Sequence, residues 1–113
     1  MSKEQRHFDL LRKLEDNPEY TQRELARELG ISLGQVNYVM KKLIDKGFVK
    51  FQNFKKSNNK ISYIYLLTPK GIEEKSRMTF DFLKIKMNEY ELLKEEINQL
   101  KLDTNKLNGK KNK

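Results

Sequence analysis

The stretch from Thr21 to Gly47 constrains the fold more than any other part of the chain. It contains two helix starts. Thr21 with Glu24, and Ser32 with Gln35, both match the capping box, in which a hydroxyl oxygen accepts from a free N–H of the first turn. Apolar residues follow each start at helical spacing: Leu25, Ala26 and Leu29, then Val36, Val39, Met40, Leu43 and Ile44. Gly30 and Gly47 stand where each helix needs a left-handed residue to end. Only Gly30-Ile31-Ser32 separates the two helices, so they must cross sharply, with Ile31 placed to fill the angle.

That arrangement is a helix-turn-helix. In its usual docking the second helix enters the major groove of a duplex with its N-terminal half. Removing the apolar stripe from this helix leaves an outer face of Ser32, Gly34, Gln35, Asn37, Tyr38, Lys41 and Lys42. Gln and Asn can pair bidentately with adenine, while Tyr38 can meet a phosphate or a thymine methyl. Lys41 and Lys42 suit phosphates. Gly34 weakens a helix, but its missing side chain would let the backbone come close to DNA. Each of these residues alone reads equally well as an ordinary solvated one; the set does not.

The flanking segments complete a small domain. Phe8, Leu11 and Leu14, with Leu10 beside them, make Glu4–Glu15 a short amphipathic helix that covers the pair from behind, stopped by Asp16-Asn17-Pro18. His7 lies next to this stripe, where packing or solvent exposure outweighs chemistry. Residues 48–54 and 61–67 read as two strands rich in aromatic and β-branched residues. Between them, Lys55, Lys56, Ser57, Asn58, Asn59 and Lys60 form a basic hairpin tip, and Asn58-Asn59 suits left-handed turn geometry. A tip of this kind directly after a recognition helix reads as a wing whose cations track the backbone or the minor groove.

Thr68 can cap a new helix, and Pro69 fits its first position. From Ile72 to about Leu107 there is no Pro or Gly, which predicts one long helix whose first part, Ile72, Met78, Phe82 and neighbours, packs back on the domain. The later part can be written in heptads. Leu83, Tyr90, Ile97 and Thr104 fall at a, and Lys86, Leu93, Leu100 and Leu107 at d. Glu89 and Glu96 then fall at g, and Lys94 and Lys101 at e, so a parallel pair makes Glu89–Lys94 and Glu96–Lys101 contacts in both directions. An antiparallel pair would set like charges together. The expected dimerisation seam is Leu83, Tyr90, Leu93, Ile97, Leu100 and Leu107. Phe80, Phe82, Ile85 and Met87 are apolar outside it. The expected division is a DNA-binding domain at 1–70, a coiled-coil helix at 71–107 and a disordered basic tail at 108–113.

Composition sets the remaining bounds. With 36% hydrophobic and 35% charged residues, a chain of 113 residues can bury only a small core. The net charge is +8, and residues 1–70, with 14 basic against 8 acidic groups, hold +6 of it. The basic excess therefore coincides with the helix-turn-helix, and a basic surface attracts phosphate without choosing sequence. The absence of Cys excludes disulfides and thiolate metal sites, and the single His7 cannot make a metal site or a triad alone, so neither cofactor nor metal is expected. Paired acids such as Glu73-Glu74 are helix-surface charges, and no enzymatic constellation is present. No apolar run reaches membrane-spanning length and no secretory signal is visible, so a cytoplasmic protein is expected.

The order of helix, Thr-Gln-Arg-Glu-Leu-Ala helix, recognition helix, Lys46-Gly47-Phe48-Val49, basic hairpin and Leu67-Thr68-Pro69-Lys70-Gly71 resembles the MarR-type winged helix-turn-helix transcriptional regulators over about Phe8 to Ile72. Within them the chain is most similar to the short branch associated with bacterial exopolysaccharide gene clusters. The resemblance implies a fold that is mainly α with a small β-hairpin, followed by a long dimerisation helix. It also implies a homodimer on a pseudo-palindromic operator, usually as a repressor. By position, Ser32, Gln35, Asn37, Tyr38 and Lys41 would face bases or phosphates, Thr21 and Gln22 would touch the backbone from a helix N-terminus, and Lys55, Lys56 and Lys60 would be the wing. Many members have a further N-terminal helix and two C-terminal ones that build the dimer and a small-ligand pocket. This chain departs from that plan, which puts a small-molecule effector in doubt and moves dimerisation to the coiled coil. The competing reading is a protein-interaction adaptor that uses the winged domain and coiled coil without binding DNA.

Overall fold

A computed structural model describes residues 2–55 and 61–111, with side chains at 2–53 and 63–109. The element order is α1 (Lys3–Asp16), α2 (Gln22–Leu29), α3 (Leu33–Asp45), β1 (Val49–Lys55), β2 (Ile61–Leu67) and α4 (Pro69–Lys111). The described residues divide into two compact units that part after Thr79.

The first unit is built on its caps. Thr21 Oγ1 accepts from Glu24 N–H at 3.1 Å, and Ser32 Oγ accepts from Gln35 N–H at 3.1 Å. Ser2 Oγ accepts from Gln5 N–H and starts α1, a cap the periodicity alone did not reveal. Gly30 and Gly47 sit at φ 66° and 77°, the left-handed region open to glycine at little cost. Leu10, Leu11 and Leu14 of α1, Leu25 of α2 and Val36, Val39, Met40 and Leu43 of α3 meet in one core with Val49 and Met78. Each fully buried aliphatic side chain contributes about 1.5–3 kcal/mol, which is how α1 holds the α2–α3 pair from behind. Ile44, which follows the start of α3 at helical spacing, is 36% exposed. It lies about 100° round the helix from Leu43, beyond the edge of the core-facing stripe.

β1 and β2 pair antiparallel, with Val49 opposite Leu67 and Phe51 opposite Tyr65. Val49 is buried, whereas Phe51, two residues further on the same face, lies beyond the core and is 49% exposed. It stacks on Tyr63 at 5.1 Å between centroids and leans on Tyr65 at 5.3 Å, so an aromatic ladder stiffens the hairpin where the core ends. The start of α4 is fastened to the α3–β1 turn. Thr68 Oγ1 donates to Gly47 O and accepts from Gly71 N–H, the cap its sequence predicts. Gly71 passes so close to Phe48 that a Cβ there would lie 1.9 Å from Phe48 O. Lys75 pairs with Glu15 of α1 at 2.6 Å. Met78 packs into the core as expected, but Ile72 is 51% exposed.

The second unit is helix from Phe80 onward. Every residue of the expected seam is exposed in the single chain. The helix continues through Gly109 to Lys111. Asn108–Lys111 contains no Pro, and a helical Gly costs only about 1 kcal/mol against Ala.

Candidate nucleic-acid interface

The outer face of α3 is exposed at Ser32, Gly34, Gln35, Asn37, Tyr38 and Lys41, and Lys42 is half-buried. These residues are not equally free. Gln35 closes the capping box, with its Oε1 accepting from Ser32 N–H at 3.1 Å. Its amide N–H groups and the second lone pair of Oε1 remain for another partner. Lys42 lies over the ring of Tyr38, one turn earlier, with Nζ 5.4 Å from the centroid. Tyr38 itself is 55% exposed. Asn37 is tied laterally: its Nδ2 donates to Gln22 Oε1 at 3.3 Å, and Gln22 Nε2 donates to the Tyr65 hydroxyl at 3.0 Å. The structure thus brings Gln22, at the N-terminus of α2, directly beside the recognition helix. Thr21 is exposed next to it.

Gly34 has no internal reason to be glycine. Its φ is not positive, and an added Cβ would meet only Ser32 Oγ, at 3.9 Å. On the other flank of α3, a groove of about 460 Å³ runs against the N-terminal part of α1, lined by Lys3, Arg6, His7, Ser32, Gly34, Gln35, Tyr38 and Val39. Lys3 and Arg6 are cations that reading the recognition helix alone missed. Their spacing of three on α1 puts them on one side of that helix, which is the signal that could have found them. Arg6 Nε and His7 Nε2 are buried without a hydrogen-bond partner among the described residues. Burial holds the His7 imidazole below its ordinary 6.5, and the charges of Lys46, Lys3, Arg6 and Lys42 push in the same direction. The side chain of Lys55 and all of Lys56, Asn58, Asn59 and Lys60 lie outside the described residues.

The chain carries an exposed polar helix face flanked by cations and by a second helix N-terminus. Residues 3–50 match the family model described as winged helix-turn-helix DNA-binding. Among solved structures, the chain is similar to Streptococcus pneumoniae FabT, determined in complex with DNA, at 23% identity with a TM-score of 0.51. That likeness covers 77% of this chain and 57% of the FabT chain, and it is a likeness of fold. No curated protein sequence matches the chain. Among the described residues, no group of three or more His, Cys, Asp or Glu could hold a metal ion, and no helix is long and apolar enough to cross a membrane.

Proposed function

We propose that the chain is a transcriptional regulator of the MarR type, from the short branch found with exopolysaccharide gene clusters. In this reading it binds double-stranded DNA sequence-specifically, as a parallel homodimer on a pseudo-palindromic operator, and represses transcription. One observation carries the reading. The N-terminal half of α3 is exposed, polar and rigidly capped, and it includes a glycine the fold does not require. Asn37 and the free amide of Gln35 read bases, and Gly34 lets the helix backbone approach. Thr21, Lys41, Lys42 and the wing residues Lys55, Lys56, Asn58, Asn59 and Lys60 hold the phosphate backbone. Lys3 and Arg6 supply further cations beside the groove.

The exposed stripe Leu83, Tyr90, Leu93, Ile97, Leu100 and Leu107 supports pairing with a second copy. Glu89 now pairs with Lys86 of its own helix at 3.2 Å and would exchange it for Lys94 of the other copy. The functional division follows as a DNA-binding domain at 1–70 and a coiled coil at 71–107. The experiment is selection of bound duplexes from a random pool, with the mass in solution measured alongside. Two-fold symmetric sites and a mass of two chains are expected; indifference to every duplex would refute the reading. The exposed apolar residues outside the seam, Phe80, Ile85, Met87, Leu92 and Leu102, favour a second reading, an adaptor that docks another protein on α4. An adaptor shows no salt-dependent shift of duplex DNA.

A further inference from the structure

We infer that the pairing stripe of α4 changes register at Tyr90, so that Phe80 and Met87 join it and Lys86 leaves it to face Glu91 of the second copy. This rests on the parallel-homodimer reading above and concerns the second unit alone.

A single heptad register from Leu83 to Leu107 has one defect. It puts Lys86 at d, where the ammonium groups of two copies would meet in the apolar seam, and it leaves Phe80 and Met87 outside at e. Those two are 72% and 60% exposed, no less than the seam residues themselves. The defect ends at Tyr90. Up to that residue, Phe80, Leu83, Met87 and Tyr90 recur at spacings of three, four and three, an a-d-a-d run with no charged member. From it, Tyr90, Leu93, Ile97 and Leu100 recur at three, four and three again, also as a-d-a-d. Tyr90 closes the first run as d and opens the second as a. Two consecutive spacings of three, Met87 to Tyr90 and Tyr90 to Leu93, are what an insertion of three residues leaves in a heptad pattern, and they overwind the pair locally.

The charged neighbours agree. In the first run Lys86 falls at g and Glu91 at e, so a parallel pair sets each Lys86 against Glu91 of the other copy. In the second run Glu89 keeps its g position and takes Lys94. Lys86 Nζ, 3.2 Å from Glu89 Oε2 within one chain, thus trades one carboxylate for another when the copies meet and is not left unpaired in the seam. Phe82 agrees as well. The single register would put it at g, beside Met87 of the other copy. It is already half-buried in the single chain, and the first run puts it at c, off the stripe.

The test is sedimentation equilibrium on the full chain, which reads the dissociation constant of each variant. Met87→Ala should weaken association at least about tenfold, since each dimer loses two buried side chains, while Leu92→Ala, at c in the second run, should leave it unchanged. Lys86→Leu should not strengthen association, because no ammonium leaves the seam. Lys86→Glu should weaken it about three- to tenfold, and adding Glu91→Lys should restore it. A single register reverses these results: Lys86→Leu would tighten the dimer by about tenfold or more, and Glu91→Lys, at b, would rescue nothing. Either of those results overturns the register change, as does a Met87→Ala dimer as tight as the wild type or a Leu92→Ala dimer equally weakened. A wild-type chain with the mass of one copy at every concentration overturns the dimer reading and the register change with it, whereas the contrary variant results on a wild type that does pair overturn the register change alone.

Discussion

Replacing Gly34 by alanine should make the domain more stable and the regulator worse. Gly34 is the second residue of α3, in helical conformation, with φ outside the left-handed region. Glycine in a helix costs roughly 0.5–1 kcal/mol relative to alanine, chiefly through the backbone entropy of the unfolded chain. The new methyl would meet only Ser32 Oγ at 3.9 Å, an ordinary contact, so no packing penalty offsets the gain. For a domain of this size, each kcal/mol moves the midpoint by about 4–8 °C, so a rise of about 2–8 °C is expected. The same methyl stands where the helix backbone would approach the duplex, and losing that approach should weaken binding tenfold or more, about 1.4 kcal/mol. Thermal unfolding by circular dichroism and a duplex titration at fixed salt measure the two effects on one preparation. Gly109→Ala is the control, since Gly109 is also helical with nothing within 4 Å of an added Cβ, yet lies outside the recognition helix. A Gly34→Ala protein that is stabilised and still binds at full strength would show that the backbone does not come close. A destabilised one would show that the fold needs this glycine after all.

The other predictions are shorter. Gly71→Ala should impair folding, because its Cβ would fall 1.9 Å from Phe48 O; overpacking costs about 1–3 kcal/mol or more, and a clash with backbone belongs at the top of that range, as a melting midpoint would register. His7 is neutral in the folded chain because burial, then Lys46, Lys3, Arg6 and Lys42, lower its pKa. The unfolded chain therefore binds the extra proton first, so stability should fall as pH drops through 6.5 towards the lowered value; as the only histidine, it should take that slope with it in His7→Leu, measured by urea unfolding between pH 5 and pH 7. In a parallel dimer, Lys94→Glu would set a carboxylate against Glu89 of the other copy and weaken association about three- to tenfold, and adding Glu89→Lys should restore it. Sedimentation equilibrium decides this, since in an antiparallel pair, where lysines face lysines, the single reversal would not weaken association. Lys56→Ala should weaken binding to all duplexes alike and reduce the salt slope by about one, read from titrations at several salt concentrations.

What the sequence makes legible here is whatever is decided within a turn or two of helix. The Thr21 and Ser32 caps, the left-handed Gly30 and Gly47, the buried stripe of α3 and the Thr68 cap each depend on residues within four positions, where spacing and chemistry suffice. The hydrogen bonds from Asn37 to Gln22 and from Gln22 to Tyr65 span 15 and 43 positions, and none of these residues looks unusual in its own segment. Gln22 reads as an ordinary first-turn residue and Tyr65 as a strand aromatic. Their meeting follows from the hairpin register, which places Tyr65 opposite Phe51, and from the bond of Tyr65 to Pro18, which draws β2 to the loop before α2. An exposed face on α3 can thus be read from periodicity, but the hydrogen-bonding state of each group on it cannot. That state is fixed by tertiary neighbours, and it is the property that discriminates one base from another. A sequence of this kind therefore shows that a helix has a reading face before it shows what the face reads.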